Sequence, residues 1–61
     1  MSNDRKKLAL RVKTLREQRG MSQVELAQKV GISRSALSQI ENGVRRVYDN
    51  EMVQLGRELE R

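Results

Sequence analysis

QVELAQKVGISRSALSQIENG, residues 23–43, sets two short apolar-periodic runs on either side of one glycine, Gly31. In the first run Leu26, Ala27 and Val30 share a helical face; in the second Leu37 and Ile40 do, with Ala36 at its margin. Neither run is long enough to be a stable helix alone, so each must bury its stripe against something else. Gly31 adopts positive φ at no steric cost, so it can stop the first run and turn the chain within a residue or two. Away from the second stripe lie Ser33, Arg34, Ser35, Ser38 and Gln39, all polar.

Working outward, Ser22-Gln-Val-Glu25 fits a capping box, with Glu25 three residues after the hydroxyl and Met21 placed to staple onto Leu26. Ser33 is the matching cap of the next helix, which runs to about Asn42 before Gly43. Upstream, Leu8, Val12 and Leu15 form the stripe of a first helix ending near Gln18, with Gly20 beyond it and Leu10 off the stripe. Residues 1–4 read as a frayed end in which Asp4 caps this helix. Downstream of the 44–48 loop, Asp49 or Asn50 is expected to cap a fourth helix through about Leu59. Its inner face would be Met52, Leu55 and Leu59, with Val53 beside them and Gly56 unexpectedly in the middle.

The whole chain has 61 residues, enough for one domain with a small core, and we read residues 1–61 as a single unit. It has one Tyr, no Phe, no Trp and no Pro, so the core must be aliphatic and the fold all-α. Net charge is +5, and residues 1–21 carry that excess with seven basic and two acidic residues. Such a balance suits a polyanionic partner, nucleic acid or an anionic membrane surface; solubility alone is the plainer reading. With no Cys and no His, disulfides are excluded and the usual zinc-site spacings cannot occur. No metal or other cofactor is expected. Catalysis is disfavoured too, because clustered carboxylates and a phosphate-binding loop are both lacking. No run approaches a signal or membrane-spanning length, so a cytoplasmic protein is expected, without a membrane partner or an evident small-molecule ligand.

Two helices joined at a central glycine have the form of a helix-turn-helix, here residues 22–43. Ala27 is small where the helices come closest. Arg34, Ser35, Ser38 and Gln39 then face outward with groups able to hydrogen-bond to base edges in a major groove. On spacing alone, an ordinary solvated face of a small helical bundle fits equally well.

Residues 22–43 also resemble the helix-turn-helix of the Cro/CI (XRE-type) family, which includes lambda-like phage repressors. Ser22, Gln23, Leu26, Ala27, Gly31, Ile32, Ser33, Leu37, Ser38, Ile40, Glu41 and Gly43 stand in order where the family pattern has them, and Arg16 stands where it favours arginine. The resemblance covers roughly residues 8–59. It implies a compact four-helix, lambda-repressor-like DNA-binding domain and a transcriptional regulator, in most such cases a repressor, bound to double-stranded DNA as a homodimer on a palindromic operator. By the same resemblance Arg34, Ser35, Ser38 and Gln39 would read bases, with Ala36 close to the DNA. Ser22, Gln23, Asn42, Arg45 and Arg46 would grip the backbone. Arg16 and Glu41 would form a structural ion pair. Each has a plainer reading: Asn42 as a cap, Arg45 and Arg46 as a solvated loop, Arg16 and Glu41 as separate surface charges. The family commonly adds a fifth, dimer-forming helix where this sequence ends at Arg61, so a minimal four-helix version or a truncated five-helix one is expected. Tyr48, Val53 and Gly56 are then the candidate dimer contacts.

Two other readings compete. An antitoxin-like protein-interaction module would regulate its own promoter through this same domain, but its partner-binding segment would normally lie outside it. A basic amphipathic membrane binder is disfavoured by the breaks at Gly20, Gly31 and Gly43 and by the narrow apolar stripes.

Overall fold

A computed structural model describes residues 2–60, with side chains for residues 5–60. Four α-helices follow one another: α1 (Ser2–Gln18), α2 (Gln23–Val30), α3 (Arg34–Glu41) and α4 (Asp49–Leu59). The described residues contain no strand. Both α1 and α2 pack against α3 and against α4. The short helices therefore bury their stripes on one another and on the long one.

Local chemistry sets most of the boundaries. The Ser22 hydroxyl accepts the Glu25 N–H at 3.1 Å, while the Glu25 carboxylate accepts the Ser22 N–H at 3.2 Å. Ser33 caps α3 by accepting the Ala36 N–H at 3.0 Å. At the corner Gly31 has φ +83°, and the Ala27 carbonyl accepts both the Gly31 and the Ile32 N–H, at 2.9 and 3.0 Å. A residue with a Cβ would be strained in that conformation. The same looping back ends α1, where Met21 N–H reaches the Arg16 carbonyl, and α3, where Val44 N–H reaches the Gln39 carbonyl.

The core joins Val12 of α1, Leu26, Ala27 and Val30 of α2, Leu37 of α3, and Leu55 and Leu59 of α4. Leu8, Leu15, Met21, Ile32 and Val47 pack around it. Ala9 and Ile40 are buried as well. Leu26, Leu37 and Ile40 are fully enclosed, each contributing about 1.5–3 kcal/mol by leaving water. Leu10, off the stripe, is 66% exposed. The C-terminal end of α4 is fastened to α1 and the turn after it: Arg11 pairs with Glu60, and Arg19 Nε donates to the Leu59 carbonyl at 2.8 Å.

Three expectations need correction. The first helix begins at Ser2, so Asp4 lies inside its first turn and not at its cap. The fourth begins at Asp49 with Tyr48 as N-cap, displacing Asp49 and Asn50 from that role. Tyr48 makes no side-chain cap; instead Glu51, the third helical residue, accepts the Tyr48 N–H at 3.1 Å. The inner row of α4 is consequently Glu51, Leu55 and Leu59, spaced i, i+4, i+8, and Met52 and Val53 are exposed. A carboxylate is tolerated in that row because Arg45 neutralises it.

Candidate nucleic-acid interface

Arg34, Ser35 and Gln39 are exposed on α3, and Ser38 sits half-buried at the margin of the same face. Residues 34 and 38, and 35 and 39, are i, i+4 pairs, so the four make two adjacent rows over the first two turns. Opposite them Leu37 and Ile40 anchor the helix in the core. The rows are therefore carried on a helix that has little freedom to rotate. Ala36, between the polar positions, is half-buried.

Behind this face lies a polar network. Glu41, the last residue of α3, is only 8% exposed. Its carboxylate accepts Arg16 Nε at 2.7 Å, Arg16 Nη2 at 3.2 Å and Gln23 Nε2 at 3.1 Å. Arg16 Nη1 also donates to the Met21 carbonyl at 2.7 Å. One carboxylate thus ties α1, the α1–α2 turn, the start of α2 and the end of α3 together. Its hydrogen bonds raise the Arg16 pKa above the ordinary arginine value, against the opposing effect of burial. None of the buried side-chain polar atoms described lacks a partner.

The expected backbone-gripping residues fall in two groups. Ser22 and Gln23 stand at the start of α2, where the Ser22–Glu25 capping box takes up the Ser22 and Glu25 N–H groups and the Glu25 carboxylate already faces the positive end of the helix dipole. Gln23 is half-buried, with one amide N–H on Glu41. Asn42 is exposed at the end of α3, and Arg46 is exposed in the following loop. Arg45 differs from its neighbour: Nη1 and Nη2 donate to the two Glu51 oxygens at 2.9 and 2.8 Å, and Nη1 also reaches the Arg46 carbonyl at 3.0 Å. The Arg45 and Arg46 guanidinium carbons lie 5.5 and 5.9 Å from the centroid of the Tyr48 ring, within cation–π reach. The bidentate bond from Arg45, and after it the Tyr48 N–H, hold the Glu51 carboxyl below its ordinary pKa; Arg45 is correspondingly raised by Glu51.

Sequence reading missed Glu51. The available signal was an acid three residues after Tyr48, as in the second half of a capping box, in register with Leu55 and Leu59. It also missed the bond from Gln23 to Glu41, which joins one expected phosphate contact to the expected ion pair. Among the described residues no group of His, Cys, Asp or Glu is placed to hold a metal, and no helix is long and apolar enough to cross a membrane.

An exposed polar face on a firmly anchored second helix, reached through a tight corner, is what a groove-reading helix-turn-helix requires. A helix-turn-helix family model matches residues 12–57, from the middle of α1 to near the end of α4. The chain belongs to this XRE-type, Cro/CI-like helix-turn-helix family and is a DNA-binding transcription regulator.

Proposed function

We propose that the domain binds duplex DNA sequence-specifically, as a two-fold dimer on a palindromic operator, and that it acts as a repressor. The supporting observation is the exposed Arg34, Ser35 and Gln39 on a helix locked from behind by Leu37, Ile40 and Glu41. With α3 in the major groove, these residues and Ser38 at their margin meet base edges. Arginine offers a fork to guanine and glutamine a donor–acceptor pair to adenine. Ser22 and Gln23 on one side of the groove, and Asn42 with the Arg45–Arg46 loop on the other, hold the phosphates. In the two-fold arrangement the paired α3 helices sit about 34–36 Å apart, with half-sites one helical turn apart.

Selection from a random duplex library at fixed salt tests this reading. A palindromic consensus with half-sites one turn apart is expected. If four to six phosphates are neutralised, log K should fall with log salt at a slope of about −4 to −5. Unselective recovery, or a flat salt response, overturns the proposal. Sedimentation with the selected duplex should show two chains per palindrome, and one chain at saturation overturns the dimer.

A further inference from the structure

The adjacent arginines of the 44–48 loop look equivalent in sequence, yet their surroundings separate them. Arg45 is half-buried and bound through both terminal nitrogens to Glu51, itself only 8% exposed. Glu51 belongs to the inner row of α4 with Leu55 and Leu59, so the pair roots the loop in the core side of that helix. The same carboxylate holds the Tyr48 N–H, and the Tyr48 ring lies beside both guanidinium groups. Arg45 Nη1 also holds the carbonyl of Arg46. Arg46 is the exposed member.

We propose that Arg45 and Glu51 are positioning residues for DNA binding: the pair, with Tyr48 against it, sets the loop so that Arg46 is presented to a backbone phosphate. The inference rests on the DNA-binding geometry proposed above and adds an acidic residue to it. In the opposite view Arg45 grips a phosphate directly and Glu51 merely competes with that phosphate. The two views predict opposite signs. An acid that only competes or repels weakens binding, so neutralising it must tighten binding. An acid that orders the loop strengthens binding despite its charge, because a flexible Arg46 loses more freedom on contact.

Glu51→Gln is the informative variant, since its amide oxygen can still accept the Tyr48 N–H while the charged fork to Arg45 is lost. It should weaken binding to specific and non-specific duplexes alike, about fivefold, with the salt slope of the parent. Arg45→Lys, which keeps the charge but cannot make the fork, should weaken binding to the same extent. The double variant should bind no worse than either single one. Arg46→Gln should instead make the slope shallower by about two, because each chain of the dimer loses one phosphate contact. Thermal melts followed by circular dichroism establish that each variant is folded at the assay temperature; should Glu51→Gln not be, Arg45→Lys alone decides. Tighter or unchanged binding by Glu51→Gln, or parental affinity in Arg45→Lys, overturns the proposal. Absence of duplex binding by the parent chain would overturn the DNA-binding geometry itself, a separate result.

Discussion

The Arg16 guanidinium meets the Glu41 carboxylate edge-on, Nε at 2.7 Å and Nη2 at 3.2 Å, with side-chain exposures of only 11% and 3%. This separates the pair from a surface ion pair, whose median worth is about 0–1 kcal/mol. Removing one partner strands the other in a site with little access to water, and removing Glu41 also strands the Gln23 amide. Glu41→Ala should cost about 3 kcal/mol or more, a large share of the roughly 3–9 kcal/mol expected for a chain of 61 residues. A double-mutant cycle with Arg16→Met and Glu41→Leu, read by urea denaturation, isolates the coupling. The double variant should recover part of the loss because it buries no charge. A coupling energy near zero, with each single variant as stable as the parent, would falsify the structural role.

Glu51 provides a pH test. Its pKa is lowered in the folded chain, first by the fork from Arg45 and then by the Tyr48 N–H. A carboxyl lowered on folding adds stability above its unfolded pKa, about 4.3, and that stability is lost as pH falls through the folded value. The chain should therefore lose stability progressively below about pH 4.3, and Glu51→Gln should flatten that acid limb while leaving the melting temperature less sensitive to pH. Superimposable pH profiles for parent and variant would rule out Glu51 as a source of acid lability.

The helix-turn-helix was legible because its boundaries are written in short range. Ser22 with Glu25, Ser33 and Gly31 each act within a few residues of their own position, so spacing suffices to find them. The start of α4 was not legible for the converse reason. Tyr48 carries no capping side chain, and the group that does the work is inside the helix. Glu51 escaped notice because a periodicity count looks for apolar residues and this inner position holds a charge. The outward placement of Arg34, Ser35 and Gln39 followed from the positions of Leu37 and Ile40. The partner of Arg45 did not follow from anything periodic, since a loop side chain chooses its partner in three dimensions. The resemblance to repressors grouped Arg45 with Arg46, and only their surroundings distinguish them.

Two glycines should respond to alanine in opposite directions. Gly31 has φ +83°, and a Cβ there would meet nothing within 4 Å. Crowding is thus absent, and Gly31→Ala should cost about 1–2 kcal/mol from the backbone conformation alone. Gly56 is helical, and a Cβ there would come no closer than 3.9 Å, to a Glu60 oxygen. With ordinary φ and space available, Gly56→Ala should stabilise by about 0.5–1 kcal/mol. Urea midpoints of the two variants should move to either side of the parent. A destabilised Gly56→Ala would mean that close approach at that position matters in some assembled state.

Arg34 allows the proposed base readout to be separated from simple attraction to phosphate. It is the first helical residue of α3, exposed, and in line with Ser38 one turn on. Ser33 caps the helix and Leu37 anchors it, so the Arg34 stem leaves the surface in a set direction. If its fork meets guanine, Arg34→Ala should cost about 1–3 kcal/mol on the best site and relax preference at one base pair in each half-site. Arg34→Lys keeps the charge but replaces the planar fork with a point donor, so it should also lose selectivity at that base pair while retaining the salt slope. Gln39→Ala should relax preference at a different base pair, because it lies in the neighbouring row of the same face. Competition of each variant between the selected duplex and single-base-pair substitutions measures these effects. Affinity lost equally on every sequence in Arg34→Ala, with normal binding by Arg34→Lys, would make Arg34 a phosphate contact and leave the readout to Ser35, Ser38 and Gln39.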